Sequence, residues 1–219
     1  MIDWGDEVKP RPHSGRIGID KTLKDARRGN LQAVKAHLRR DPSLLNAKSG
    51  GHNRTFLWEA TRGNHPDLVK YLLREGADPN VPGRMRSEIV VLLKPFCIAH
   101  RYVHPELAKT VLQAGTVFDI FSACYLGDGD RVQELLAADP ALLNKEQEDD
   151  TVWRVTALHH AVAGGHEGLT RYLIRQGAKV KPYTRLLCDA AVRTGDRQLV
   201  QILSDGGADE QLARVWGQA

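Results

Sequence analysis

The feature that most constrains this chain is that it copies itself. Thr55-Phe-Leu-Trp-Glu-Ala60, followed by Asn64-His65, Leu68, Leu72 and Gly76-Ala77-Asp78, aligns without a gap on Thr156-Ala-Leu-His-His-Ala161, Gly165-His166, Leu169, Leu173 and Gly177-Ala178. The same frame fits Pro95-Phe-Cys-Ile-Ala99, His104, Leu107, Val111 and Gly115, and again Ala190-Ala191, Gly195-Asp196, Leu199, Leu203 and Gly207-Ala208-Asp209. Two further copies, Ala26 to Leu38 and Cys124 to Leu136, end in DPSLLN and DPALLN instead of GAD. With first frame residues at Asp20, Thr55, Lys94, Phe118, Thr156 and Leu186, the units recur at about 33 residues. Each carries apolar residues at helical spacing in two short segments, too little to bury a face alone, so neighbours must stack to share a core. Gly29, Gly127, Gly165 and Gly195, with Asn64 in the same place, are expected to be left-handed residues ending the first helix. The GAD segments at 76–78 and 207–209 end the second helix in the same manner.

This pattern resembles the ankyrin-repeat family, whose unit is a TPLHxA turn and helix start, a Gly-His turn between two antiparallel helices and a GADxN exit into a hairpin loop. The resemblance covers residues 20–209 and implies an all-α fold, a solenoid of stacked helix-turn-helix units joined by hairpin loops. TALHHA departs from TPLHxA only at Ala157; TFLWEA puts Phe56 and Trp58 where the family has Pro and His; KPFCIA and LLCDAA depart further. The resemblance also implies that His159 braces neighbouring loops through hydrogen bonds and that His166 stands at the inter-helix turn. It assigns no role to His160.

A second period lies above the first. DPSLLN begins at Asp41 and DPALLN at Asp139, a shift of 98 residues, so repeats one to three are echoed by four to six, as a duplicated three-repeat unit would be. Each is followed by a polar connection, AKSGGHNR or KEQEDDTVWR, expected to project as a finger. Ser87 followed by Glu88 and an apolar run predicts a lengthened first helix in the third repeat. Residues 1–19 read as a mobile arm, 20–209 as the array and 210–219 as a cap with Trp216 packed on the last repeat.

Little else carries chemistry. Cys97, Cys124 and Cys188 are odd in number, widely spaced and outside any CxxC pairing, and read as small buried hydrophobes. Adjacent His159 and His160 point about 100° apart on a helix and do not converge on a metal. His100 and His104 have the i,i+4 spacing of a two-histidine metal face with Glu106 nearby, but His104 falls at an inter-helix turn where that spacing no longer applies. Glu146, Glu148, Asp149 and Asp150 make an acidic patch read as a solvated loop. No GxSxG, P-loop, GxGxxG after a strand or HExxH is present, so no enzyme, metal or cofactor is expected. The apolar runs are too short to span a bilayer and the N-terminus has no signal-peptide core, which makes the cytoplasm the default compartment and leaves export as an effector open.

Function is then expected from a surface. The family resemblance implies a concave face made of hairpin tips and the exposed ends of the first helices. Through the frame, those helix ends present Arg27, Arg28, Arg62, Arg101, Tyr102, Tyr125, Leu126 and Arg193, and the hairpins add His52, Arg54, Trp153 and Arg185. Arginine and aromatic residues dominate interface hot spots, and arginine forks match carboxylates or phosphates. The leading reading is a monomeric module that binds an acidic protein or peptide on this face. Nucleic acid is the alternative, with arginines on phosphates and Tyr102, Tyr125 and Trp153 stacking on bases, although a net charge of +4 is modest for it. An enzyme using His and Cys side chains of the first helices is a third reading, with no nucleophile–base spacing behind it.

Overall fold

The computed structural model describes residues 19–84, 91–147 and 154–209. The expectations for the N-terminal arm, Ser87, Glu88, Glu148, Asp149, Asp150, Trp153 and Trp216 lie outside the described residues. Within them the chain forms six helix pairs: α1 (Ile19–Arg27) with α2 (Leu31–Arg40), α3 (Phe56–Arg62) with α4 (Pro66–Arg74), α5 (Pro95–Arg101) with α6 (Pro105–Gln113), α7 (Ile120–Leu126) with α8 (Gly129–Ala138), α9 (Ala157–Ala163) with α10 (Glu167–Arg175), and α11 (Thr184–Thr194) with α12 (Arg197–Asp205). The first helices of successive pairs stack on one another in chain order.

Local chemistry fixes these boundaries. The Thr55 hydroxyl accepts the Trp58 N–H at 3.2 Å and the Asp119 carboxylate accepts the Ser122 N–H at 2.9 Å, each capping a first helix. Asn30, Asp128 and Asp196 cap second helices in the same way, while α4 and α6 open on Pro66 and Pro105, where a missing N–H costs nothing. The residue before each second-helix cap is left-handed in all six pairs: Gly29, Gly127, Gly165 and Gly195, Asn64 at φ 58° and Val103 at φ 57°.

Burial explains the short first helices. All seven residues of α9 are buried, as are Phe56 to Thr61 of α3, because a helix with neighbours on every side has no solvent face to supply. The second helices cover this layer from one side and are amphipathic, burying Leu68, Val69 and Leu72 in α4 and Leu169, Thr170 and Leu173 in α10. Each fully buried Leu or Phe contributes about 1.5–3 kcal/mol over exposure, within its helix pair and across to the next repeat.

Polar bonds staple the repeats. Asn46 donates to the Gly76 carbonyl and accepts the Asp78 N–H at 2.8 Å; Asn80 does the same with Gly115 and Val117, and Asn144 with Gly177 and Lys179. The junction of the third and fourth repeats is built otherwise. There α5 meets α7 over a smaller surface than any other successive first helices, and the nearly buried Lys94 ammonium bonds the Asp119 carboxylate at 2.8 Å and the Val117 carbonyl at 2.7 Å.

Several expectations are corrected. In the fourth repeat the first helix is capped by Asp119, one residue after Phe118, and in the sixth it begins at Thr184, two residues before Leu186, although the left-handed residues keep the expected frame. The first helix of the third repeat has seven residues, because Leu92–Leu93 pairs as a strand with Gly83–Arg84 just before it; the longest first helix is α11, with eleven. The 47–54 connection folds back instead of projecting: the Ser49 N–H donates to the Arg54 carbonyl at 2.8 Å, and Ser49, Asn53 and Arg54 are buried.

Candidate functional site

A cleft of about 660 Å³ opens between α1, α3 and the 49–54 loop. From α1 it is lined by Asp20, Lys21, Leu23, Lys24 and Arg27, residues three and four apart that share one helical face. From α3 come Glu59 and Arg62, and from the loop Ser49, Gly50, His52 and Arg54. The loop is held in place by the Arg54 N–H on the Ser49 hydroxyl at 2.9 Å and by the Arg84 N–H on the His52 carbonyl at 2.7 Å.

Arg54 is the buried member of this set. Its Nη1 meets Glu59 Oε1 at 3.1 Å, its Nε donates to the Arg84 carbonyl at 2.6 Å, and the guanidinium lies 5.1 Å from the Trp58 ring. Burial lowers its proton affinity, and Glu59 works against that. The exposed Lys21, Lys24 and Arg27 form no ion pair or side-chain hydrogen bond among the described residues. Beyond the cleft the same face continues as an arginine–tyrosine ladder. Arg62 Nε donates to the Tyr102 hydroxyl at 3.1 Å while its guanidinium lies over the Trp58 and Tyr102 rings, and Arg101 Nη1 meets the Tyr125 hydroxyl at 3.1 Å. Each arginine closes a first helix and reaches the tyrosine of the next repeat.

Residues 120–213 match the family model for ankyrin repeats in three copies, and residues 52–84 match the model for the ankyrin repeat, together more than half of the 219 residues. The chain belongs to the ankyrin-repeat family. Ankyrin repeats are in general protein–protein interaction modules and typically non-catalytic.

Of the contact residues expected from the ankyrin frame, Arg27, His52, Arg54 and Arg62 come together in the cleft. Arg101 and Tyr102 stand on the ladder. Tyr125 is 6% exposed and meets the face only through its hydroxyl, and Leu126 is half-buried against the core. Arg28 is exposed beside Arg27 but does not line the cleft. Arg193 forms a two-pronged pair with Asp189 on its own helix at 2.7 and 3.2 Å. Arg185 is on the first turn of α11, not on a hairpin tip, because that helix begins at Thr184. The frame missed Lys21 and Lys24. Their spacing from Arg27 along α1 was the available signal, but the frame considered only the helix ends.

The histidines are distributed by architecture. His65 and His166 donate Nε2–H to the Arg27 and Tyr125 carbonyls at 2.8 and 2.9 Å, each turn closing the first helix of the preceding repeat. His159 makes no hydrogen bond to a neighbouring loop: its Nδ1 accepts the Thr156 N–H at 3.0 Å within its own repeat, and its ring packs edge-on against Tyr183 of the next at 5.2 Å. At the same frame position, Trp58 does bridge repeats, donating to the Leu93 carbonyl at 2.9 Å. His160 turns elsewhere, with Nδ1 3.0 Å from the Thr156 carbonyl and Nε2 3.3 Å from that of Leu92. His100 packs edge-on against Phe96, while His104 precedes α6 without a side-chain capping bond. Among the described residues no three His, Cys, Asp or Glu side chains gather to hold a metal, and no helix is long and apolar enough to cross a membrane. The three cysteines are buried, and burial pushes the Cys97 thiol up to about 12 and Cys188 to about 11.

Proposed function

We propose that this ankyrin array binds an acidic protein or peptide, seated on the face that runs from the α1–α3 cleft along the arginine–tyrosine ladder. The observation that carries the reading is the gathering of Lys21, Lys24, Arg27, Arg54 and Arg62 around one cleft whose lining holds only two carboxylates, Asp20 and Glu59. Cations so placed steer an acidic partner and fix its register. A rigid stack presents them without an ordering cost on its own side. The aromatics argue for a peptide over a nucleic-acid strand. Trp58 is fully buried and Tyr125 nearly so, which leaves the half-buried Tyr102, with Arg62 over its ring, as the one of these three with any exposed face for a base to stack on. Affinity capture from native lysate, with a nuclease-treated lysate in parallel, tests this: protein captured equally from both supports the reading, and loss of all captured material after nuclease overturns it in favour of nucleic acid.

A further inference from the structure

We propose that the α1–α3 cleft seats a phosphate monoester, presented as a phosphorylated serine or threonine side chain of the partner segment. This rests on the protein-binding reading and names the group that anchors it.

Charge is the first support. Lys21, Lys24, Arg27, Arg54 and Arg62 face one concavity together with His52, and Glu59 is already matched by Arg54. A single carboxylate would leave most of this excess unbalanced, whereas a phosphate monoester brings about −1.5 to −2 charges and three acceptor oxygens. The second support is Arg54 itself, which lines the cleft at 9% exposure. Its Nη1 and Nε are bonded, yet its Nη2 has no hydrogen-bond partner. Buried donors are almost always satisfied; Nη2 is closed off from solvent in this arrangement, as is the unpartnered Oε2 of Glu59, and a ligand oxygen would meet it once the guanidinium turns toward the cleft. Pre-organisation is the third. Arg62 is held against Trp58 and Tyr102, so little side-chain freedom remains to be lost when an oxyanion arrives. The volume of about 660 Å³ exceeds what a bare phosphate needs and accommodates a side chain with flanking backbone. No ring of Phe, Tyr or Trp lines it, which leaves His52 as the one aromatic side chain in the cleft for a nucleotide base to stack on.

Backbone-amide NMR of the full chain tests the assignment. The probes are a capped alanine-flanked peptide with a central phosphoserine, the same peptide with Glu or Ser at that place, inorganic phosphate and an oligothymidylate. The phosphopeptide is expected to give saturable shifts confined to residues 20–27, 49–54 and 59–62, with the Glu peptide about tenfold weaker and the Ser peptide silent. Lys24→Gln with Arg27→Gln, both at exposed positions, should weaken the phosphopeptide about tenfold while leaving the melting temperature in place; Arg74→Gln with Arg175→Gln should not weaken it. Equal affinity for phosphopeptide and Glu peptide, or shifts scattered over the surface, overturns the phosphate site. Inorganic phosphate binding as tightly as the phosphopeptide reassigns the cleft to a small phosphorylated molecule, and tighter cleft binding by the oligothymidylate reassigns it to nucleic acid. Treating the capture lysate with phosphatase separates the two levels. Capture that survives it sinks the phosphate inference and leaves the protein-binding reading standing, whereas no capture from any lysate sinks both.

Discussion

The carbonyl of Tyr125 accepts the Nε2–H of His166 at 2.9 Å, a bond across forty-one residues by which the turn of one repeat closes the first helix of the repeat before it. Gly127 lies against it: at φ +76°, a Cβ added there would fall 2.6 Å from the His166 ring, whereas Gly165, at φ +78°, has open space. Gly165→Ala therefore carries only the left-handed penalty, about 1 kcal/mol. Gly127→Ala carries that and the displaced histidine bond, about 1 kcal/mol more. Thermal denaturation should place Gly127→Ala clearly below Gly165→Ala, and coincident midpoints would remove the proposed role of His166.

Val103 is the converse case. It occupies the left-handed position that glycine or asparagine fills in the other five repeats, at φ 57°, and its side chain is 82% exposed. A β-branched residue is strained there and gains nothing from burial. Val103→Gly is expected to stabilise by about 1 kcal/mol, read as a higher urea midpoint at unchanged slope; a lower midpoint would mean that the valine packs usefully.

Acid should weaken the fold through its buried histidines. Burial, aided by His160, pushes the His159 pKa down to about 3, and burial also lowers that of His160 despite the two carbonyls that favour its charged form. An unfolded histidine titrates near 6.5. Above about pH 6.5 neither state takes up the proton and the stability is whole; as pH falls toward 3 the unfolded chain binds protons that the folded chain refuses, at up to about 1.4 kcal/mol per unit per group. The denaturant midpoint should fall below pH 6.5 more steeply in the wild type than in His159→Gln, and parallel curves would contradict this.

Recognition should be sensitive to the ladder. Arg62→Glu with Arg101→Glu reverses two cations of the proposed face and breaks their bonds to Tyr102 and Tyr125. Partner binding should fall tenfold or more, with about 1–2 kcal/mol of stability lost as well, so binding must be compared well below both melting midpoints. The control, Arg74→Glu with Arg175→Glu, changes exposed last residues of α4 and α10. Loss of binding in the control and not in the ladder pair would move the active surface to the second helices.

Much of this architecture was legible because repetition reports backbone requirements directly. A glycine recurring before four of the six second-helix caps marks a left-handed residue whatever packs around it, and Gly29, Gly127, Gly165 and Gly195 were read that way. What was illegible depends on partners distant in the chain. Trp58 and His159 share a frame position, yet the indole N–H of one reaches the Leu93 carbonyl of the next repeat while the Nδ1 of the other turns back to its own cap. Arg54 looked like an exposed tip; Glu59 and Trp58, which draw it inward, become its neighbours through the fold-back of the loop. The cleft itself needed α1 and α3 side by side, and Lys21 and Lys24 have no distinguishing pattern until that pairing exists.

The polar junction between α5 and α7 has a mechanical consequence. Elsewhere successive first helices share broad apolar contact, but α5 and α7 share little, and an ammonium–carboxylate bond of 2.8 Å is a main tie between them. Pulled from its two ends, the array should part at Lys94 and Asp119 before either set of three repeats unravels. Single-molecule extension would then record an early small step followed by the longer lengthening of each block, and Lys94→Met should lower the force of the first step alone.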